Sequence, residues 1–249
     1  MHGRERGGSG VPRIPVAGEV VLSSSGKSLR AVSFDGDGTL WEVLGAPDDA
    51  LVAVAAAINQ GQPAGASIVE VSHLEAARAQ AERMHPGWSM NSLRRQSFAD
   101  LLDTYQVVGV SLDDLWAGFL GARWARTRLF DDAIPVLRRL RDCRIRTCLL
   151  SNGNTLPENV GLEGLFDHAQ VAEDVGVHKP DPAAFAMAAA GLGCSPDTIL
   201  HVGNEECADF AGALKAGFRA VLLCRTSPIV AGSILSLSAI PDIVDESKT

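Results

Sequence analysis

Short apolar runs recur along the chain, and several stop abruptly at polar residues. Residues 29–34 (LRAVSF) run into Asp35, and residues 145–150 (IRTCLL) run into Ser151. Residues 198–202 (TILHV) run into Gly203-Asn204-Glu205, and residues 219–223 (RAVLL) into Cys224-Arg225. Residues 168–171 make a weaker case. These runs are too short for independent helices and are rich in Val, Ile and Leu, the pattern of strands buried on both faces of a parallel sheet.

Helical spacing separates most of them. Residues 131–141 carry Ile134, Leu137 and Leu140 three apart. Asp181-Pro182 reads as an N-cap followed by proline at the first helical position, opening a helix through Ala190. Residues 206–216 form a third helical pattern, stopped by Gly217. Strand–helix alternation of this kind implies an open parallel α/β sheet with right-handed crossovers. Ligands bind such sheets beyond the carboxyl ends of the strands. The polar residues that end the apolar runs are therefore expected to converge.

Residues 42–128 interrupt the alternation. Ser72-His73-Leu74-Glu75 has the form of a capping box opening a helix to about Met84. Residues 91–105 and 111–126 are further amphipathic stretches, with breaks at 60–66 and 85–89. This predicts a helical domain inserted after the first strand, the core being formed by residues 29–41 and 129–249. Residues 1–28 read largely as a tail without an apolar segment of the secretory kind.

Composition narrows the classes. The chain has 249 residues, 46% hydrophobic and 21% charged, enough to bury a sizeable core. A net charge of −8 argues against nonspecific nucleic-acid binding, which depends on Lys and Arg neutralising phosphates. The five cysteines include no C-x-x-C pair, so neither a disulfide framework nor a zinc site is expected, and reduced thiols point to the cytoplasm. No apolar run reaches the roughly 18 residues of a membrane span, so no membrane partner is expected. Oligomeric state is left open.

The sharpest chemical signal is Asp35-Gly36-Asp37-Gly38-Thr39-Leu40. Two carboxylates two residues apart at a strand end need a cation between them, or one must hold a proton. Oxygen-rich donors of this type suit Mg²⁺. VSFDGDGTL resembles the first motif of the haloacid dehalogenase (HAD) superfamily, D-x-D-G-T after an apolar strand. Three further segments follow in the family's order. LLSNGN resembles the second motif through Ser151, GVHKPDP the third through Lys179, and HVGNEECADFAGALKAG the fourth, usually G-D-x-x-x-x-D, through Gly203, Asn204 and Asp209. The resemblance covers about residues 29–41 and 129–225, and the insertion lies where the family places its helical cap.

The resemblance implies a Rossmann-like three-layer α/β core with an inserted α-helical cap. It also implies Mg²⁺-dependent hydrolysis of a small phosphorylated metabolite through an aspartyl-phosphate. Asp35 would be the nucleophile, and Asp37 the general acid and then the base. Lys179 would neutralise charge on the nucleophile and the transferring group. Thr39, Ser151, Asn152 and Gly153 would bind the phosphoryl group, and Asp35, Asp37, Asn204, Glu205 and Asp209 would surround the metal. Asn204 is the departure, because the family usually has aspartate there. Glu205 or Asp209 is expected to supply the missing charge.

Two other enzyme readings share these motifs. A phosphomutase would return the phosphoryl group to its substrate. The dehalogenase branch works without metal and carries asparagine in its fourth motif, but its first motif lacks the second aspartate, here Asp37. A non-catalytic binding relative is a further alternative. Other signals read as structural. Ser25-Gly26-Lys27-Ser28 lacks the upstream glycine of a phosphate-binding loop, because position 21 is Val. His201 reads as a satisfied core histidine and Cys207 as a buried thiol, whereas His178 stays near the site. Arg94, Arg95, Arg123 and Arg126 could meet an anionic substrate, although a solvated helix face is the commoner role for each.

Overall fold

The computed structural model describes residues 27–44, 49–226 and 232–248. In chain order the elements are β1 (Ala31–Phe34), β2 (Trp41–Val43), α1 (Asp49–Gly61), α2 (Val71–Met84), α3 (Met90–Thr104) and α4 (Leu112–Trp124). Then come β3 (Thr127–Leu129), α5 (Ala133–Asp142), β4 (Arg146–Ser151), β5 (His168–Val171), α6 (Ala172–Val175), α7 (Pro182–Leu192) and β6 (Ile199–Gly203). A π-helical turn over Glu206–Ala211, α8 (Gly212–Lys215), β7 (Arg219–Leu222) and α9 (Ile240–Glu246) complete the chain. All five apolar runs are strands of one parallel sheet in the order β5-β4-β1-β6-β7.

Alternation along β1 sends side chains to two apolar layers. Val32 and Phe34 pack with Leu137 and Leu140 of α5 and with Ile240 and Val244 of α9. Ala31 faces Phe185, Ala188 and Leu192 of α7. The result is a three-layer core. Each large apolar side chain buried in it, such as Phe34, contributes about 1.5–3 kcal/mol. The order of the sheet makes β1 the switch point, since β4 and β5 lie to one side and β6 and β7 to the other. Its carboxyl end is where such sheets bind ligands, and Asp35 stands there.

The inserted helices bury a cluster of their own that includes Leu51, Ile58, Leu74, Phe98, Leu115 and Phe119. Phe98 and Phe119 meet edge to face at 5.5 Å. α1 packs on α4, and α2 on α3. The two ends of the insertion are tied by the antiparallel pair β2–β3, in which Trp41 faces Leu129. This ribbon has no signature in the local sequence, because its three-residue strands are partners across the whole insertion.

Three local expectations need correction. α2 starts at Val71, and the side chain that returns to its N-terminus is His73, whose Nδ1 accepts the Glu70 N–H at 3.0 Å. Glu75 takes two guanidiniums instead, Arg94 at 3.0 Å and Arg78 at 3.2 Å. The fourth-motif helix begins as a π-helical turn, a feature common at functional sites, and Cys207 on it is exposed, not buried. α9 was missed. The expected tail lies outside the described residues except for Lys27 and Ser28, and Lys27 pairs with Asp197 at 2.7 Å. Among the described residues, no helix is long and apolar enough to cross a membrane.

Candidate active site

Asp35 is the first residue beyond β1. Its N–H donates to the Val202 carbonyl at 2.9 Å, which fixes it between β1 and β6. Its side chain is buried, and Oδ1 accepts from Lys179 Nζ at 2.7 Å. The same ammonium donates to Asp209 Oδ1, also at 2.7 Å. Lys179 is buried too, so one cation lies between two carboxylates that are themselves largely withdrawn from solvent. Burial of charge is costly unless each group is paired and hydrogen-bonded, and this triad meets that condition.

Asp209 is anchored from three sides. Besides Lys179, its Oδ1 lies 3.2 Å from His201 Nε2, and its Oδ2 accepts the Glu205 N–H at 2.9 Å. Burial opposes its charge, but the hydrogen bond from His201, together with the charge and hydrogen bond of Lys179, holds its carboxyl well below the ordinary range. His201 is fully buried, and burial lowers its pKa in spite of Asp209. As a neutral ring it donates from Nε2 to Asp209 and accepts at Nδ1 from Ser33 Oγ, 2.8 Å away. His201 is thus the satisfied core histidine read from the sequence. It is also part of an unbroken path Ser33–His201–Asp209–Lys179–Asp35. The register that pairs Ser33 with His201 was the missing signal.

These contacts bear on the expected metal set. Both oxygens of Asp209 already accept hydrogen bonds inside the protein. Asn204 lies against the Asp35–Thr39 turn, where its Oδ1 accepts from Thr39 Oγ1 at 3.3 Å. Gly38 has φ +78°, and a Cβ there would come within 2.5 Å of Asn204 Nδ2. Gly203 is needed for the same reason, since a Cβ would fall 2.2 Å from Asp209 Cγ. Glu205 is exposed beside them. Among the described residues, no cluster of three or more His, Cys, Asp or Glu side chains is disposed to hold a metal.

Asp37 is exposed, and its Oδ1 accepts from the Trp41 indole N–H at 3.1 Å. A Cβ on Gly153 would sit 3.1 Å from Asp37 Oδ2 and 3.4 Å from Ser151 Oγ, so the loop after β4 lies directly against this carboxylate. Ser151 Oγ accepts the Gly153 N–H at 3.0 Å, which leaves its hydroxyl proton for another partner. The Asn152 side chain has a structural role. Its carboxamide accepts the Lys179 N–H at 2.7 Å and donates to the Lys179 carbonyl at 2.9 Å, so the side chain braces the lysine. His178 is exposed. Arg225 was missed as a support: it donates to the Thr39 carbonyl at 2.6 Å while paired with Asp132 at 2.8 Å.

Burial raises the Asp35 carboxyl to about 6, with Lys179 pulling down against it and Asp209 adding to the rise. A proton then competes with any cation for this carboxylate. In metal-free protein, the Asp35 carboxyl carbon should titrate near pH 6 by NMR. Below that pH, Mg²⁺ affinity should fall by about tenfold per unit. A midpoint near 4 would show that Lys179 outweighs burial.

A parallel α/β sheet thus carries a buried Asp–Lys–Asp triad at its switch point, where such sheets bind ligands. Residues 29–217 match the model of the haloacid dehalogenase-like hydrolases. The chain belongs to that family of enzymes. It is 26% identical over 202 residues to the glyceraldehyde 3-phosphate phosphatase of Methanothermobacter thermautotrophicus, covering 78% of this chain and 85% of that one. It is also 26% identical over 209 residues to (S)-2-haloacid dehalogenase 4A of Burkholderia cepacia, covering 80% and 84%. The solved 2-haloacid dehalogenase of Pseudomonas syringae pv. tomato superposes with a TM-score of 0.71 at 27% identity, covering 88% of this chain and 99% of that one.

Proposed function

We propose that this hydrolase is a phosphomonoesterase for a small phosphorylated metabolite, with Asp35 as the covalent nucleophile and Mg²⁺ as the cation of the site. The observation that carries the reading is the second carboxylate, Asp37, exposed within the same turn as the buried, lysine-paired Asp35. The Lys179 ammonium holds one carboxylate in place, and the other stands open to the leaving oxygen and to water. A carboxylate oxygen of Asp35 attacks phosphorus, and the bond from phosphorus to the ester oxygen breaks. Asp37 gives its proton to that oxygen. Asp37 then takes a proton from water as the water oxygen attacks phosphorus, which releases inorganic phosphate and restores Asp35.

Lys179 offsets the charge that accumulates on Asp35 and on the phosphoryl oxygens. The Ser151 hydroxyl and the backbone around Asn152 and Gly153 supply hydrogen bonds to those oxygens. Asp35 and Asn204 would hold Mg²⁺, with Asp37 and Glu205 beside them, and the ion would compensate charge between carboxylate and phosphate. The helical insertion supports the role of a cap. Asn154 Nδ2, just past the β4 loop, donates to Asn91 Oδ1 of α3 at 2.8 Å, and Ser89 Oγ donates to Glu173 at 2.7 Å. Both contacts support a position of α3 near the carboxyl ends of β4 and β5, where closure would exclude water.

Phosphate release from a panel of phosphomonoesters, with and without Mg²⁺, tests the reading. Release that depends on Mg²⁺ is the expected result. Asn204→Asp should tighten Mg²⁺ by roughly tenfold and Glu205→Gln should weaken it, since Asp209 is engaged elsewhere. Metal-free release of halide from a 2-haloacid would move the protein to the dehalogenase branch. Isomerisation without phosphate release would make it a mutase. No Mg²⁺ binding until Asn204→Asp is introduced would mark a non-catalytic relative.

A further inference from the structure

The arginines of the insertion do not share one fate. Arg95 pairs with Asp113 and is largely exposed. Arg94, Arg123 and Arg126 line one cavity of about 300 Å³, together with Phe119, Met90 and Glu75. That size suits a small ligand, and apolar walls with a few converging polar groups are what small-molecule sites share. Three guanidiniums face the cavity against one carboxylate, in a chain whose net charge is −8.

The carboxylate does not neutralise them. Glu75 is shared between Arg94 and Arg78. Arg126 has its own partner in Asp49 at 2.5 Å. Arg94 keeps a buried Nη1 that has no hydrogen-bond partner among the described residues. A buried unpaired N–H on a charged group is costly, and an arriving anion would relieve that cost. Burial lowers the pKa of Arg94, Glu75 opposes that, and Arg78 and Arg123 push with burial, so positive charge is crowded there.

The cavity also has the right neighbours. Val43 and Leu44 in its wall follow directly from Trp41, whose indole holds Asp37. Asn91, also in the wall, is bonded to Asn154 beyond the Ser151–Gly153 loop. The segment that leaves the catalytic turn therefore borders it, and the phosphoryl-binding loop reaches it through the Asn154–Asn91 hydrogen bond.

We infer that this cavity is the leaving-group subsite, and that the preferred substrate is a small phosphomonoester whose leaving group carries a second anion, held by Arg94 with Arg123. The inference rests on the phosphomonoesterase reading for turnover but not for binding. A guanidinium that reads an anionic group discriminates strongly against the uncharged analogue, because the analogue leaves the charge unpaired. 3-Phosphoglycerate and glycerol 3-phosphate differ at one position, a carboxylate against a hydroxymethyl group, and make the comparison direct.

Wild-type protein should favour 3-phosphoglycerate in kcat/KM. Arg94→Gln should reduce that preference at least about tenfold, chiefly by raising KM. Arg123→Gln should reduce it in the same direction, and it is the second variant if Arg94→Gln fails to fold. Glu75→Gln should raise the preference, a sign that simple loss of packing does not give. Calorimetry of 3-phosphoglycerate with Asp35→Asn reads the subsite without turnover. Arginine-dependent binding without hydrolysis of any ester would remove the phosphatase reading and keep the subsite. Hydrolysis of both esters with a preference unaffected by either arginine would keep the phosphatase reading and overturn the subsite. Absence of both would overturn both.

Discussion

Asp35→Asn should abolish turnover while leaving the fold in place. Loss of a covalent nucleophile costs several orders of magnitude in kcat, so retention of more than about 1% of the rate would rule out covalent catalysis here. The fold should survive because the substitution removes a group whose charge is disfavoured by burial, the cause that raises its carboxyl to about 6. Lys179 would still be paired with Asp209 at 2.7 Å. The backbone bond from residue 35 to the Val202 carbonyl does not involve the side chain. Circular dichroism and a thermal melt separate the two effects: activity should vanish with only a small shift in Tm.

Lys179→Met should be the more damaging change, because it acts on stability and chemistry together. It leaves Asp35 and Asp209 buried near one another without their shared cation. Breaking a buried pair by removing one partner costs about 3–5 kcal/mol. The kcat of the folded fraction should fall by about 10²–10³-fold or more, the scale seen when one charge-stabilising donor is lost. The pH dependence gives the sign. A carboxyl raised in the folded state binds a proton that the unfolded chain has already released, so stability falls as pH rises between the unfolded value, 3.8, and about 6. Asp209, held low, has the opposite sign and contributes stability that is lost on acidification below the unfolded value. Without Lys179 the Asp35 carboxyl should rise further and the unstable window should widen toward neutral pH. Urea denaturation at pH 5 and pH 8 tests this: the variant should be more stable at pH 5, and equal stability would mean that Asp35 is not the group responsible.

The strand ends were legible because parallel strands buried on both faces must be short, apolar and abruptly terminated, and position in the alternation then fixes which residues reach the ligand edge. Asp35, Ser151 and Asn204 were found in that way, and Lys179 only through the order of the four motifs. The helical insertion was legible from its periodicity and its breaks. What each polar group does once it arrives was not. The resemblance implies a metal role for Asp209, and the structure adds that its two oxygens meet a lysine from one loop, a histidine from β6 and its own backbone turn. It implies a phosphoryl contact around Asn152, and the structure adds that the side chain braces a backbone 27 residues away. The arginines of α3 and α4 read as solvated faces, since periodicity does not say which helix covers which face. Hydrophobic spacing is set by local geometry and is therefore written along the chain. The partner of a charged or hydrogen-bonding side chain is set by distance in space, so only the assembled layers decide whether a carboxylate meets a metal, a lysine or a substrate.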